Sequence, residues 1–417
     1  MIRAIASVAS LLLGVAILLA GQGLQGVLLP VRATLEQFTP FAVGLIGGFY
    51  FLGFTVGCWK GGELIRRAGH IRVFATMTAI ASAVPLLHGL WVNLWFWGLL
   101  RFATGFCFAV LYVVVESWLN ERASNQNRGT VFSSYIIINM TMLAVGQQIL
   151  LLADPADLNL FAGASVLVSL AAVPLLMSRG EQPEEAELSH LDLRLLYRTS
   201  PSGMAGSLTS GLTNGSFWAL APVFTAALTP DVSMAAWFMT SVVLGAAVGQ
   251  WPLGWWSDRV DRRYVLVGAC LAGLVVDLAL WGITPGLGQA GILILGFFWG
   301  ALAFPVYSLS VAQANDRADP GTFVTISSGL LLMYGAGAIV GPLFSSGIMT
   351  RFGAESLFLY AAVMHLGLAA FVIARRRSED EVAREEHTEF SDALTSALTA
   401  SQVYEEEIET DEDRPAA

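Results

Sequence analysis

The stretch Gly249–Arg263, "GQWPLGWWSDRVDRR", passes within two residues from tryptophan and glycine into alternating Asp and Arg. Such a seam belongs where a helix leaves an apolar solvent and enters water. The chain has the composition this requires: of 417 residues, 55% are hydrophobic and 13% are charged, against roughly 25% charged in a typical soluble domain. An all-α integral membrane protein follows. A spanning helix needs about 20 predominantly apolar residues. Twelve such stretches are predicted, at 7–29, 41–60, 73–91, 94–119, 131–152, 158–177, 204–228, 234–256, 264–284, 289–312, 323–348 and 355–375. These runs are long and continuously apolar, whereas a barrel strand is about ten residues of alternating pattern. The first run lacks a small-residue cleavage site, and its second half matches a later helix, so it is read as a span and not as a signal peptide.

Orientation follows from the basic residues. Arg3, Lys60, Arg66, Arg67, Arg72, Arg122, Arg128, Arg179, Arg194, Arg198, Arg259, Arg262, Arg263, Arg317 and Arg375 to Arg377 fall on one side, and only Arg32 and Arg351 on the other. The positive-inside rule makes the first side, with both termini, cytoplasmic. A multi-pass protein of a bacterial-type inner (plasma) membrane is expected. The net charge of −10 is local: residues 376–417 hold fourteen acidic and four basic side chains, and the rest balances to zero. That tail is expected to be a solvated, disordered end, with a regulatory or partner-binding role as the alternative. Cys58, Cys107 and Cys270 lie inside apolar stretches, where packing accounts for them. Lys60, the one lysine, sits in "GCWKGG", so no Gly-Lys-Ser/Thr phosphate loop exists. No cofactor or metal is expected, and the chain is not read as an enzyme.

An internal repeat organises the spans. A shift of 192 residues lays "QGLQGVLLPV" (Gln22–Val31) on "NGSFWALAPV" (Asn214–Val223), and pairs Gly53, Gly57, Gly62 and Arg67 with Gly245, Gly249, Gly254 and Arg259. At a shift of 195, Tyr112, Asn120, Glu121, Arg122, Thr130, Ser133 and Gly146 fall on Tyr307, Asn315, Asp316, Arg317, Thr325, Ser328 and Gly341. Two parallel six-helix halves, 1–177 and 204–375, are therefore expected, joined by a polar linker at 178–203 and followed by the tail 376–417. Parallel halves of this kind are an architecture of secondary transporters.

With these motifs in place the sequence resembles the major facilitator superfamily over about residues 5–375. Gly254, Asp258-Arg259 and Asp261-Arg262-Arg263 resemble that family's loop between the second and third helices of a half. "LLRFATG", with Arg101 four residues before Gly105, resembles its fourth-helix motif. "YVVVESWLN", "NRG" and "GQWPLG" are similar to the YcaD-like branch. The resemblance implies the twelve-helix, two-half fold of the superfamily. It also implies a cytoplasmic latch made of Arg66, Arg67, Asp258, Arg259, Asp261, Arg262 and Arg263; a plain positive-inside anchor is the alternative. Departures exist. Arg66 stands where the second half has Asp258, and the Gly-Pro motif of antiporter fifth helices is missing, since Gln147 follows Gly146.

Polar residues inside a membrane are costly and default to functional hypotheses. Arg101, Gly105, Phe108, Tyr112 and Glu116 recur at steps of four, three, four and four, along one face of the fourth span. Arg101 suits an anionic or carbonyl-bearing group, or else a structural tie. Glu116, roughly 22 Å further along at 1.5 Å per residue, is either a proton-coupling carboxyl or an ion-pair partner of Arg66, Arg67 or Arg128. Gln22, Gln25, Asn139, Gln147, Asn214, Trp218, Tyr307 and Tyr334 complete a candidate substrate cavity. Each alone would be an interhelical hydrogen bond of about 0.6 kcal/mol. Asp277, in the ninth span, is a second proton-coupling candidate, with an interhelical partner as its alternative. His88 and His365 are read as structural.

These features point to a secondary transporter, proton-linked or facilitative, moving a small organic solute by alternating access. Its partners would be that solute, protons and the lipid bilayer, with no nucleic acid, and it would act as a monomer. Three rivals remain: an exporter of amphipathic drugs, a non-transporting sensor or scaffold using the acidic tail, and an intramembrane enzyme, for which no metal spacing or nucleophile motif stands out.

Overall fold

The computed structural model describes residues 2–122, 128–177, 191–375 and 390. Among the described residues twelve long helices appear: α1 (Ile2–Leu35), α2 (Pro40–Ala68), α3 (His70–Leu90), α4 (Leu94–Arg122), α5 (Arg128–Gln148), α6 (Asn159–Leu176, in two pieces), α7 (Pro201–Leu228), α8 (Ser233–Ser257), α9 (Arg262–Gly282), α10 (Gln289–Asn315, in two pieces), α11 (Phe323–Phe352) and α12 (Ser356–Arg375). Eleven are long and apolar enough to cross a membrane, α7 being the exception. It is rich in Gly, Ser and Thr and buried along most of its length, so protein rather than lipid covers its polar atoms. A short helix, Leu193–Thr199, precedes it inside the expected linker, of which 178–190 lies outside the described residues.

Local chemistry sets the helix ends. Thr39 accepts from the Ala42 amide at 3.2 Å with Pro40 in the first turn, and Ser200 accepts from the Gly203 amide at 3.1 Å with Pro201 there. Both satisfy amide groups that a helix start leaves open. Gly69, at φ 81, lets α2 turn into α3 with no further loop, a conformation that penalises any side chain.

The repeat is visible as contact geometry. Gly53 of α2 lies against the Phe102 carbonyl of α4, and Gly245 of α8 against the Phe297 carbonyl of α10. Gly146 of α5 meets Ala20 of α1, and Gly341 of α11 meets Leu212 of α7. In each case the two contacts are related by the 192 and 195 shifts. Close backbone approach at small residues is how helices associate where lipid removes the hydrophobic drive.

The cores reveal how the halves meet. One apolar cluster, at the end of the bundle away from Ile2 and Arg375, includes residues of both halves, from Leu24, Val27 and Ile46 to Phe217, Phe224 and Phe358. At the end that bears Ile2 and Arg375, hereafter the terminal end, each half has its own cluster: Val8, Phe74, Phe108 and Leu119 in the first, and Leu266, Leu309 and Leu330 in the second.

A Cβ at Gly245 would overlap the Phe297 carbonyl oxygen, whereas Gly268 faces open space. Gly245→Val should therefore cost about 1–3 kcal/mol or more through overpacking, read as a lower melting temperature in detergent, while Gly268→Ala should not lower it. Equal stability of Gly245→Val and wild type would contradict this packing.

Candidate functional site

Between the halves lies a cavity of about 1610 Å³, lined at its mouth by Lys60, Glu63, Arg66, Trp255, Asp258 and Arg259, all at the terminal end. The far end is closed by direct contact. A Cβ at Gly44 would meet Ser346, and one at Gly47 the Ala219 methyl, each across the boundary between halves. Gln148 Nε2 donates to Thr240 Oγ1 at 2.6 Å and to the Ala236 carbonyl at 3.1 Å, and Thr240 donates to Gln147 Oε1 at 3.1 Å. These bonds tie α5 to α8 at the closed end.

Gln22, Gln25, Arg101, Asn139, Gln147, Asn214, Trp218, Tyr307 and Tyr334 all line this cavity, as does Glu116. Gln22 is central. It donates to the Tyr50 hydroxyl at 3.1 Å and accepts from the Tyr112 hydroxyl at 2.5 Å, and the Arg101 guanidinium lies 4.3 Å over the Tyr50 ring. No carboxylate pairs with Arg101 among the described residues, and its Nε has no hydrogen-bond partner. Gln25 Nε2, Asn214 Oδ1 and Gln250 Oε1 also lack one. A buried polar atom without a partner costs about 1–3 kcal/mol, so these four, two from each half around one cavity, form an array that a bound polar solute or water can satisfy. The Tyr307 and Tyr334 rings lie 4.7 Å apart, tilted by 48°, and Trp218 packs edge-on to Phe304 at 5.6 Å. Glu116 is fully buried, and the Tyr135 hydroxyl donates to it at 3.3 Å.

The residues expected to form a latch divide. In the second half, Arg262 is buried and binds Asp316 at 2.6 Å, Ser257 at 2.6 Å and Asp258 at 3.2 Å. Asp261 caps α9 and grips Arg263 through two nitrogens, at 2.9 and 2.6 Å. Burial alone would raise the Asp261 carboxyl, but Arg263 brings it below the ordinary carboxylate range. The contact is thus complete at neutral pH and is lost only as pH falls through that lowered value. Arg259 lies 3.9 Å over the Trp255 ring and donates to the Trp255 carbonyl. In the first half Glu63 is the acid, binding Arg67 at 2.5 Å and Lys60 at 3.1 Å. Arg66, Asp258 and Arg259 reach the cavity mouth, whereas Arg67, Asp261, Arg262 and Arg263 do not line it.

Asp277 stands apart from the cavity. Fully buried, it accepts from Trp299 Nε1 at 2.7 Å and lies 2.6 Å from His365 Nδ1, which joins α9, α10 and α12. His88, equally buried, bonds the Val84 carbonyl at 3.0 Å. Sequence reasoning missed Tyr50 and Glu63. The Glu63-Arg67 spacing of four was a usable signal, and the three-residue spacing of Lys60 and Glu63 was another. It gave His365 a structural role but no partner, because that partner lies 88 positions away.

Residues 203–404 match the model of the Major Facilitator Superfamily. The chain is 27% identical over 89% of its length to the MFS-type transporter YcaD of Escherichia fergusonii, covering 97% of that protein. It is 29% identical to an MFS-type transporter of Enterobacter sp. strain 638, over 84% of this chain and 91% of the relative. The solved structure of the nucleoside transporter NupG superposes with a TM-score of 0.75 at 15% identity, over 89% of this chain and all of NupG. In sequence over most of its length, and in fold, the chain is similar to multi-pass membrane transporters of the major facilitator superfamily. Its similarity there is to the YcaD-like transporters.

Proposed function

We propose that the protein is a secondary carrier, proton-linked or facilitative, for a small organic solute bearing an anionic or carbonyl group. It works by alternating access, and the state described here is open to the cytoplasm. The carrying observation is a polar cavity between two halves that opens at one end and ends on a core both halves share. Orientation rests on the Arg and Lys bias toward the open end. Arg101, unpaired by any described carboxylate, would receive the anionic or carbonyl group, and Gln22, Gln25 and Asn214 its other polar edges. The flat faces of Tyr50, Trp218 and Phe304 suit the body of the solute. A second reading, export of amphipathic compounds, draws support from the size of the cavity, which exceeds the roughly 300–1,000 Å³ usual for a ligand pocket.

Screening purified protein for thermal stabilisation by metabolites and drugs tests both readings. Ligands that bear a carboxylate or phosphate should bind, and Arg101→Gln should weaken them about tenfold or more, as loss of a charged hydrogen bond of about 1.5–3 kcal/mol implies. Neutral amphipaths binding equally to wild type and Arg101→Gln, with anions absent from the hits, would favour the export reading instead.

Coupling divides between two carboxyls. We assign the proton to Glu116, which lines the cavity, and a structural role to Asp277, which does not. Glu116→Gln fixes the neutral form, so accumulation driven by a pH gradient should stop while exchange of labelled for unlabelled solute persists. Asp277→Asn should cost about 3–5 kcal/mol of stability by breaking a buried pair yet leave gradient-driven accumulation in the folded fraction. Full accumulation by Glu116→Gln would remove Glu116 from this role.

A further inference from the structure

Phe390 belongs to the acidic tail by sequence, yet it is only 5% exposed and packs into the terminal-end core of the second half with Val265, Leu266 and Leu330. Its ring lies directly over Gly254, where a Cβ would overlap it. Its backbone N–H donates to Asp258 Oδ1 at 3.0 Å, the same oxygen that takes Arg262 at 3.2 Å. Phe390 also lines the cavity mouth beside Trp255, Asp258 and Arg259. A glycine that leaves room for a ring and a carboxylate that takes the adjoining amide form a seat with both an apolar and a polar element. The first half offers no equivalent. The repeat places Gly62 opposite Gly254, but Arg66 opposite Asp258, so no side-chain acceptor stands there.

We propose that this seat is a binding site for the chain's own tail, and that Phe390 acts in it as a wedge that holds the cavity mouth open. The inference rests on the alternating-access reading above. Closing the mouth must bring the ends of α2 and α8, with Trp59, Glu63 and Arg66 facing Trp255 and Asp258, toward the opposite half. A phenyl ring packed under the second half's rim of that mouth props the rim and opposes the approach. An Asp258 oxygen already shared by an amide and a guanidinium is also less free to engage a new partner. Release of Phe390 therefore favours the closed mouth, and occupancy of the seat sets how readily the carrier turns over.

Cys58 provides a native reporter. It lines the cavity, whereas Cys107 and Cys270 are buried, so its labelling by a water-soluble maleimide in solute-free, full-length protein measures how often the mouth is open. Phe390→Ala should shift the closed-to-open ratio upward by about tenfold, the scale of a two-state bias from one buried aromatic, and slow Cys58 labelling several-fold. A mere plug would give the opposite sign, because removing its ring widens the entrance. Faster or unchanged labelling overturns the proposal. Gly254→Leu, which fills the seat from the helix side, reads the same quantity if Phe390→Ala folds poorly: slowed labelling supports the wedge, and an unchanged or faster rate refutes it. Solute added to wild type should slow Cys58 labelling by closing the mouth; its failure to do so counts against alternating access, while the effect of Phe390→Ala in solute-free protein is read independently.

Discussion

The apolar cluster that runs from Leu24, Val27 and Ile46 into Phe217, Phe224 and Phe358 joins the two halves at one end of the bundle. Small residues make that union close: Gly44 meets Ser346 and Gly47 meets Ala219 with no room for added carbon. At the terminal end each half packs around a separate cluster, so the facing walls diverge and leave the cavity between them. Everything functional depends on this difference between ends. Interiors are close-packed and resist continuous deformation, so two self-contained cores joined at a shared face can move as bodies, and the shared face is where movement must be accommodated. The hydrogen bonds of Gln148 and Gln147 with Thr240 lie at that face, where polar partners can be exchanged at less cost than packed aromatics.

Electrostatics differ between the two loops that the repeat relates. The second-half loop is a built network, with Arg262 buried among Asp316, Asp258 and Ser257. Its first-half counterpart is a short ladder on one helix, Lys60 and Arg67 on Glu63, with Arg67 largely exposed. Exposed pairs of that kind contribute about 0–1 kcal/mol, whereas breaking a buried one costs about 3–5 kcal/mol. Replacing the Asp258 counterpart by Arg66 thus concentrates the cohesive charge on one half, which is also the half that holds Phe390.

Much of the architecture was legible because membrane solvent imposes strong rules. Apolar run length gave the spans, and Gly53, Gly57, Gly146, Gly245, Gly249 and Gly341, paired by the repeat, are pressed against neighbouring backbone. Even α7, the least apolar span, was readable through its match to Gln22–Val31. Gln22, Arg101, Asn214 and the other polar side chains proposed for a cavity stood out because polarity within an apolar run is expensive. They line one cavity, from both halves, for the same reason. Partnerships across long separations were not legible. Nothing local links Asp277 to His365, or Gln148 to Thr240, since only packing decides which helices adjoin. Tyr50 escaped notice among the aromatics "FYFLGF", although its hydroxyl organises Gln22 and its ring carries Arg101. Phe390 was hidden by the acidic composition around it, which reads as solvated tail. Which end of the bundle is open is likewise a property of the state and not of any residue pattern.

Alternating access requires reciprocal movement of the two ends about the shared core. Spin-label pairs report it directly: one across the mouth, at Arg67 and Val260, and one across the closed end, at Phe41 and Phe352, all surface positions on opposite halves. Addition of a transported solute should shorten the mouth distances and lengthen those at the far end in the same population of molecules. Mouth distances that change while the far-end distances stay fixed, or neither changing with solute bound, would contradict rigid halves alternating about that core.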